Sequence, residues 1–127
     1  MKKIVIAFLT TFVLLASCNE EPAIEPNAQF SIKLVDNTSV AGETFYIYLD
    51  NCTGDFYALY KGMSPGTTWN SDTATNGTPV DTDTDSVSVK YVHAGEYALT
   101  LVASSSGNWG EEYLVDVYTV NITVVEP

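Results

Sequence analysis

From Phe30 to Val124 the chain repeatedly sets an apolar residue at every second position. Phe30, Ile32 and Leu34 are offset by Ser31, Lys33 and Val35; Phe45, Ile47 and Leu49 are offset by Tyr46, Tyr48 and Asp50. Successive strand side chains point to opposite faces, so a period of two predicts strands with one face in a core. Turn clusters at residues 36–39 and 51–54 separate them. Residues 55–61 (DFYALYK) are apolar on both parities, which predicts a strand that is central or has its second face covered. Residues 62–85 are irregular and rich in Thr, Asp, Asn and Gly. A structureless loop of that length is unusual in a compact domain, so short edge strands are expected near residues 67–69 and at 78–80.

Val87, Val89 and Tyr91 then alternate, His93-Ala94-Gly95 breaks the pattern, and Tyr97, Leu99 and Leu101 resume it. Gly95 is free to take a positive φ there. Two strands joined by a Gly corner, the second entering on an aromatic, predict a crossing from one sheet to the other. Residues 104–110 read as a hairpin loop. In residues 111–125 the apolar parity shifts from Tyr113, Val115 and Val117 to Tyr118, Val120, Ile122 and Val124, predicting a bulge near 116–118. The sum is an all-β sandwich of about seven strands, and roughly 100 residues suffice to bury one core without disulfides or metal.

Ahead of this pattern lies a segment of another kind. Met1-Lys2-Lys3 is cationic, residues 4–15 are apolar apart from Thr10 and Thr11, and Leu15-Ala16-Ser17 ends the run before Cys18. This is the layout of a secretory signal peptide over residues 1–17, too short for a stable membrane span. Leu15-Ala16-Ser17-Cys18 resembles a bacterial lipobox, which implies cleavage before Cys18 and lipidation of that residue. Asn19-Glu20-Glu21-Pro22 resembles the surface-export signal of Bacteroidota lipoproteins, implying a lipid-anchored outer-membrane protein exposed at the cell surface. Residues 18–27, with Pro22, Pro26 and three glutamates, are expected to be an extended tether, and residues 28–127 the domain. Cleavage would leave three lysines against sixteen acidic residues, a net charge of −13. Such a chain repels phosphate backbones, which excludes nucleic acid as a partner and leaves the lipid as the only route to a membrane.

The stretch from Tyr91 to Val102, with the closing Thr119-Val120-Asn121-Ile122-Thr123-Val124, resembles the PKD-type immunoglobulin-like domain, in which a Y-x-x-x-G-x-Y-x-V-x-L corner precedes the last hairpin. Gly42-Glu43-Thr44-Phe45 is loosely similar to that family's entry into its second strand. Its W-D-F-G-D-G motif would fall at residues 57–62, where only the aromatic start and the final Gly remain. The resemblance covers roughly residues 28–125. It implies non-catalytic contact with a glycan or a neighbouring surface protein, or a structural adhesin or assembly subunit working through protein contacts; roles resting on the missing acidic residues do not carry over.

Chemistry-bearing residues are few. Asp81, Asp83 and Asp85 have the spacing of the first three Ca²⁺ ligands of an EF-hand loop, but Ser86 and Val92 stand where that loop needs Gly and Glu. What remains is either a Ca²⁺ site shared with another loop or a solvated acidic loop. A nucleophile–base arrangement would need His93, the single histidine, beside a Ser, Thr or Cys, yet it falls at the strand corner. One His and one free Cys do not close a zinc set, and the carboxylates lie mostly in loops with nothing to set two across a cleft, so no enzyme is expected. With Cys18 lipidated, Cys52 has no disulfide partner and reads as packing. Trp69 and Trp109 sit in polar loops, where an indole either stacks on a sugar ring or folds back over the sheet. Tyr57 and Tyr60, with Tyr46 and Tyr48, form either a second aromatic binding patch or cross-strand pairs.

Overall fold

The computed structural model describes residues 22–72, 74 and 77–127; the expected signal peptide and Cys18 lie outside them. The described chain is all-β. Its strands are β1 (Ser31–Ile32), β2 (Thr38–Val40), β3 (Thr44–Tyr48), β4 (Phe56–Met63), β5 (Thr78–Val80), β6 (Ser86–Lys90), β7 (Gly95–Gly107) and β8 (Glu112–Val125). They form a three-stranded sheet in the order β1-β3-β6 and a five-stranded sheet in the order β2-β8-β7-β4-β5. All neighbouring strands run antiparallel except β2 and β8, which are parallel.

The alternation seen in the sequence fills one core between the sheets. Phe45, Ile47 and Val89 come from the smaller sheet, and Tyr57, Leu59, Leu99, Leu101, Ile122 and Val124 from the larger. The corner at Gly95 (φ +155°) carries the chain from β6 to β7, and so from one sheet to the other, as its residues predict. An aromatic stack fixes it. Tyr91 and Tyr97 lie 4.0 Å apart and nearly parallel, and the Tyr97 hydroxyl donates to the His93 carbonyl at 2.8 Å. The Tyr91 hydroxyl donates to the Lys61 carbonyl at 2.9 Å.

Several expectations are corrected. The ladder between β7 and β8 runs unbroken from Gly95↔Val124 to Gly107↔Glu112, so β8 has no bulge at 116–118. The irregularity lies in β4 instead, where the register with β7 shifts between Tyr60 and Met63; the carbonyl of Lys61, inside that shift, is the one that Tyr91 satisfies. The expected loop over 104–110 is strand as far as Gly107. Ser104 and Ser105 are buried, and Asp55 ties the tract down by accepting from the Ser106 N–H at 3.2 Å. The turn is Asn108-Trp109-Gly110-Glu111, the first three at positive φ. Residues 67–69 form no strand, whereas Thr78–Val80 does.

The described part of the expected tether is held to the domain. The Thr53 hydroxyl donates to the Glu25 carbonyl at 2.8 Å, Asn27 and Thr53 exchange backbone hydrogen bonds, and the Ala28 N–H donates to the Asp116 carboxylate at 2.8 Å. A Cβ on Gly107 would collide with the backbone of Ala23, so glycine is what lets this segment cross the sheet.

Candidate functional site

Residues opposite one another across a ladder share a face, so the registers of β4, β7 and β8 define the side of the larger sheet turned away from the core. Its rows are Ser106–Tyr113, then Phe56–Ser104–Val115, then Ala58–Val102–Val117, then Tyr60–Thr100–Thr119. At one end the face is bare: Tyr113 is 68% exposed, Phe56 52%, Val115 40% and Val117 36%. On the middle strand Ser104 lies between the larger Phe56 and Val115, and both Ser104 and Val102 are buried. Large apolar side chains standing together in water are costly, and contiguous patches of this kind mark contact surfaces.

The other end of the same face is covered. Thr100 and Ala98 have no exposed surface, and the Thr100 and Thr119 hydroxyls share a 2.8 Å hydrogen bond. The cover is the segment joining β4 to β5. Its Trp69 ring lies 6.1 Å from that of Tyr60, and Gly77 packs so closely that a Cβ there would stand 2.5 Å from the Tyr60 ring. Trp69 therefore takes the folded-back alternative: it is half-buried, and its indole N–H is buried without a hydrogen-bond partner among the described residues. Trp109 takes the other course. It stands at the tip of the β7–β8 turn, beyond the Tyr113 row, and is 90% exposed.

The remaining expected residues divide. Tyr57 points into the core, 3% exposed, and offers no face to a ligand. Tyr46 and Tyr48 belong to the smaller sheet, with Lys33 over the Tyr48 ring at 5.0 Å, so the four tyrosines do not form one patch. Phe56, Tyr113, Val115 and Val117 are not among the expected site residues, although the sequence carries a signal for them: Phe56 lies in the stretch that is apolar on both parities, and Tyr113, Val115 and Val117 lie on the parity that the expected bulge turns inward.

Asp81, Asp83 and Asp85 are exposed, and no group of three His, Cys, Asp or Glu side chains among the described residues is placed to hold a metal. The Asp81 carboxylate instead accepts from the Asp83 N–H at 3.1 Å, closing a local turn. The His93 carbonyl accepts the Tyr97 hydroxyl at the corner. Burial, followed by the charges of Asp116 and Asp50, pushes the Cys52 thiol from an ordinary 9.0 up to about 11, which makes it a poor nucleophile at neutral pH. No family model, curated protein or solved structure matches the chain.

Proposed function

We propose that this protein is a non-catalytic binding module, a PKD-like immunoglobulin-type sandwich displayed on the bacterial surface by a lipid on Cys18, and that the bare outer face of its larger sheet takes a glycan. The observation that carries the reading is the contiguous strip of Tyr113, Val115, Phe56 and Val117, with Trp109 beyond one end and the Tyr60–Trp69 pair beyond the other. A flat run of aromatic and aliphatic groups suits the C–H faces of successive sugar rings, and the exposed Ser106 beside Tyr113 adds a polar group at one end of the strip. Sixteen acidic residues against five basic favour an uncharged glycan over a uronate or sulfated one.

The immunoglobulin-like assignment is supported by the strand order of the two sheets and by a tyrosine hydroxyl that reaches back four residues to the His93 carbonyl at the sheet-crossing corner. Surface display is supported by the residues around Cys18 alone, and incorporation of radiolabelled palmitate that vanishes in Cys18→Ser is its test. For glycan binding, the full chain and its Trp109→Ala, Phe56→Ser and Tyr113→Ser variants are to be compared on a glycan array. Binding of neutral glycans by the native chain, lost in these variants and kept in Tyr46→Ser on the other sheet, is expected. Equal signals from all of them would remove the outer face from the account.

A further inference from the structure

Sheet edges carry unpaired N–H and C=O groups, and folded proteins normally guard them by shortness, proline, lysine or a bulge. The four strands that end the two sheets obey. β1 has two residues, β2 has three, β5 has three including Pro79, and β6 ends in Lys90. β8 does not. One side of this 14-residue strand is fully paired to β7, but on the other β2 reaches only Thr123, Val124 and Val125. Residues 112–121 keep an open edge about 34 Å long at 3.4 Å per residue, with no backbone hydrogen bond from the described loops. This edge contains no Pro, no Lys and no bulge; its two charges are Glu112 and Asp116, and residues 117–121 carry none.

We infer that β8 pairs antiparallel, edge to edge, with the β8 of a second copy of this chain, across a two-fold axis at Val117. Two registers pair nine residues of this edge with the same edge of a second copy, those centred on Asp116 and on Val117, and charge decides between them. Centring on Val117 faces Val117 with Val117, Asp116 with Tyr118, Val115 with Thr119, Leu114 with Val120 and Tyr113 with Asn121, so no like charges meet. A centre one residue earlier would set Asp116 against Asp116. This matters because two copies of so acidic a chain repel one another everywhere else. Such an isologous contact closes on itself as a dimer. It joins the two larger sheets into one of ten strands and brings the two exposed strips of Tyr113, Val115 and Val117 side by side. The pairing does not depend on what the outer face binds.

Sedimentation velocity of the full chain in density-matched detergent tests it, beside Val117→Lys and Val115→Lys. Both positions already face solvent, and circular dichroism checks that the variants are folded. A native dimer and two monomeric variants are expected. A native monomer, a dimer that survives both lysines, or assembly beyond two copies would each overturn the pairing. In a chain carrying Cys18→Ser and Cys52→Ser, Val117→Cys should oxidise to a covalent dimer and Val115→Cys should not. Linking by neither, or equally by both, would refute the axis at Val117.

Discussion

The two ends of the outer face of the larger sheet are built from the same three strands with the same alternation, yet they meet water differently. At the Tyr60–Thr100–Thr119 row the β4–β5 segment lies over the face, Trp69 against Tyr60, and Thr100 is wholly buried. Two rows away, Phe56 and Val115 flank Ser104 and are half exposed. Strand pattern decides which side chains share a face; a loop decides whether that face becomes interior or surface. Apolar residues on an uncovered face contribute little to folding and are free to serve contact, whereas those under the loop and in the core hold the domain together.

Substitutions at the two ends and beneath them sharpen this contrast. The largest effect belongs to the core side of the same ladder: Leu101→Ala, fully buried between Leu59 and Tyr118, should cost about 2–5 kcal/mol in urea unfolding. Next comes the covered end. Gly77→Ala pushes a methyl into the Tyr60 ring and should cost about 1–3 kcal/mol, with the Trp69 fluorescence shifting to the red as the segment lifts. At the corner, Tyr97→Phe keeps the stack on Tyr91 but loses the bond to the His93 carbonyl, about 0.5–1.5 kcal/mol by thermal or urea unfolding.

Alkaline pH gives a smaller, graded effect. Cys52 is pushed up to about 11 by burial first and then by Asp116 and Asp50, and burial likewise raises Tyr91 and Tyr57 above their ordinary 10.0. The folded chain then holds protons that the unfolded chain has released, so stability should be level below pH 9 and fall as pH rises toward 11 and beyond. Cys52→Ala should move the onset of that fall from about 9 to about 10, where the tyrosines begin to titrate. The smallest effect is at the bare end, where Val115→Ser should change stability by no more than about 0.5 kcal/mol.

The sequence made the sheet-crossing corner legible, because Gly95 and the flanking tyrosines are local signals of a local event. The inward faces of β3, β6 and β7 were legible for the same reason: Phe45, Ile47, Val89, Leu99 and Leu101 alternate cleanly with polar or outward residues. The outer face was misread because apolar residues were equated with the interior. Tyr113, Val115 and Val117 were turned inward by an expected bulge, when the ladder is regular and the surface itself is apolar. Gly107 and Gly110 mark residues 104–110 as a hairpin loop in the sequence, yet Ser104 and Ser105 are buried in strand, paired with β8. Which indole would be covered was not legible, since it depends on how the β4–β5 segment folds back over Tyr60, a tertiary contact.

The most direct test of the bare face uses the two indoles as reporters, because they fall on opposite sides of the contrast. In the Trp69→Phe chain all indole emission comes from Trp109, and in the Trp109→Phe chain all of it comes from Trp69. Acrylamide should quench Trp109 strongly and Trp69 weakly, and a neutral glycan that binds should protect Trp109 while leaving Trp69 unchanged. Equal quenching of the two, or a bound glycan that shields neither, would contradict the account.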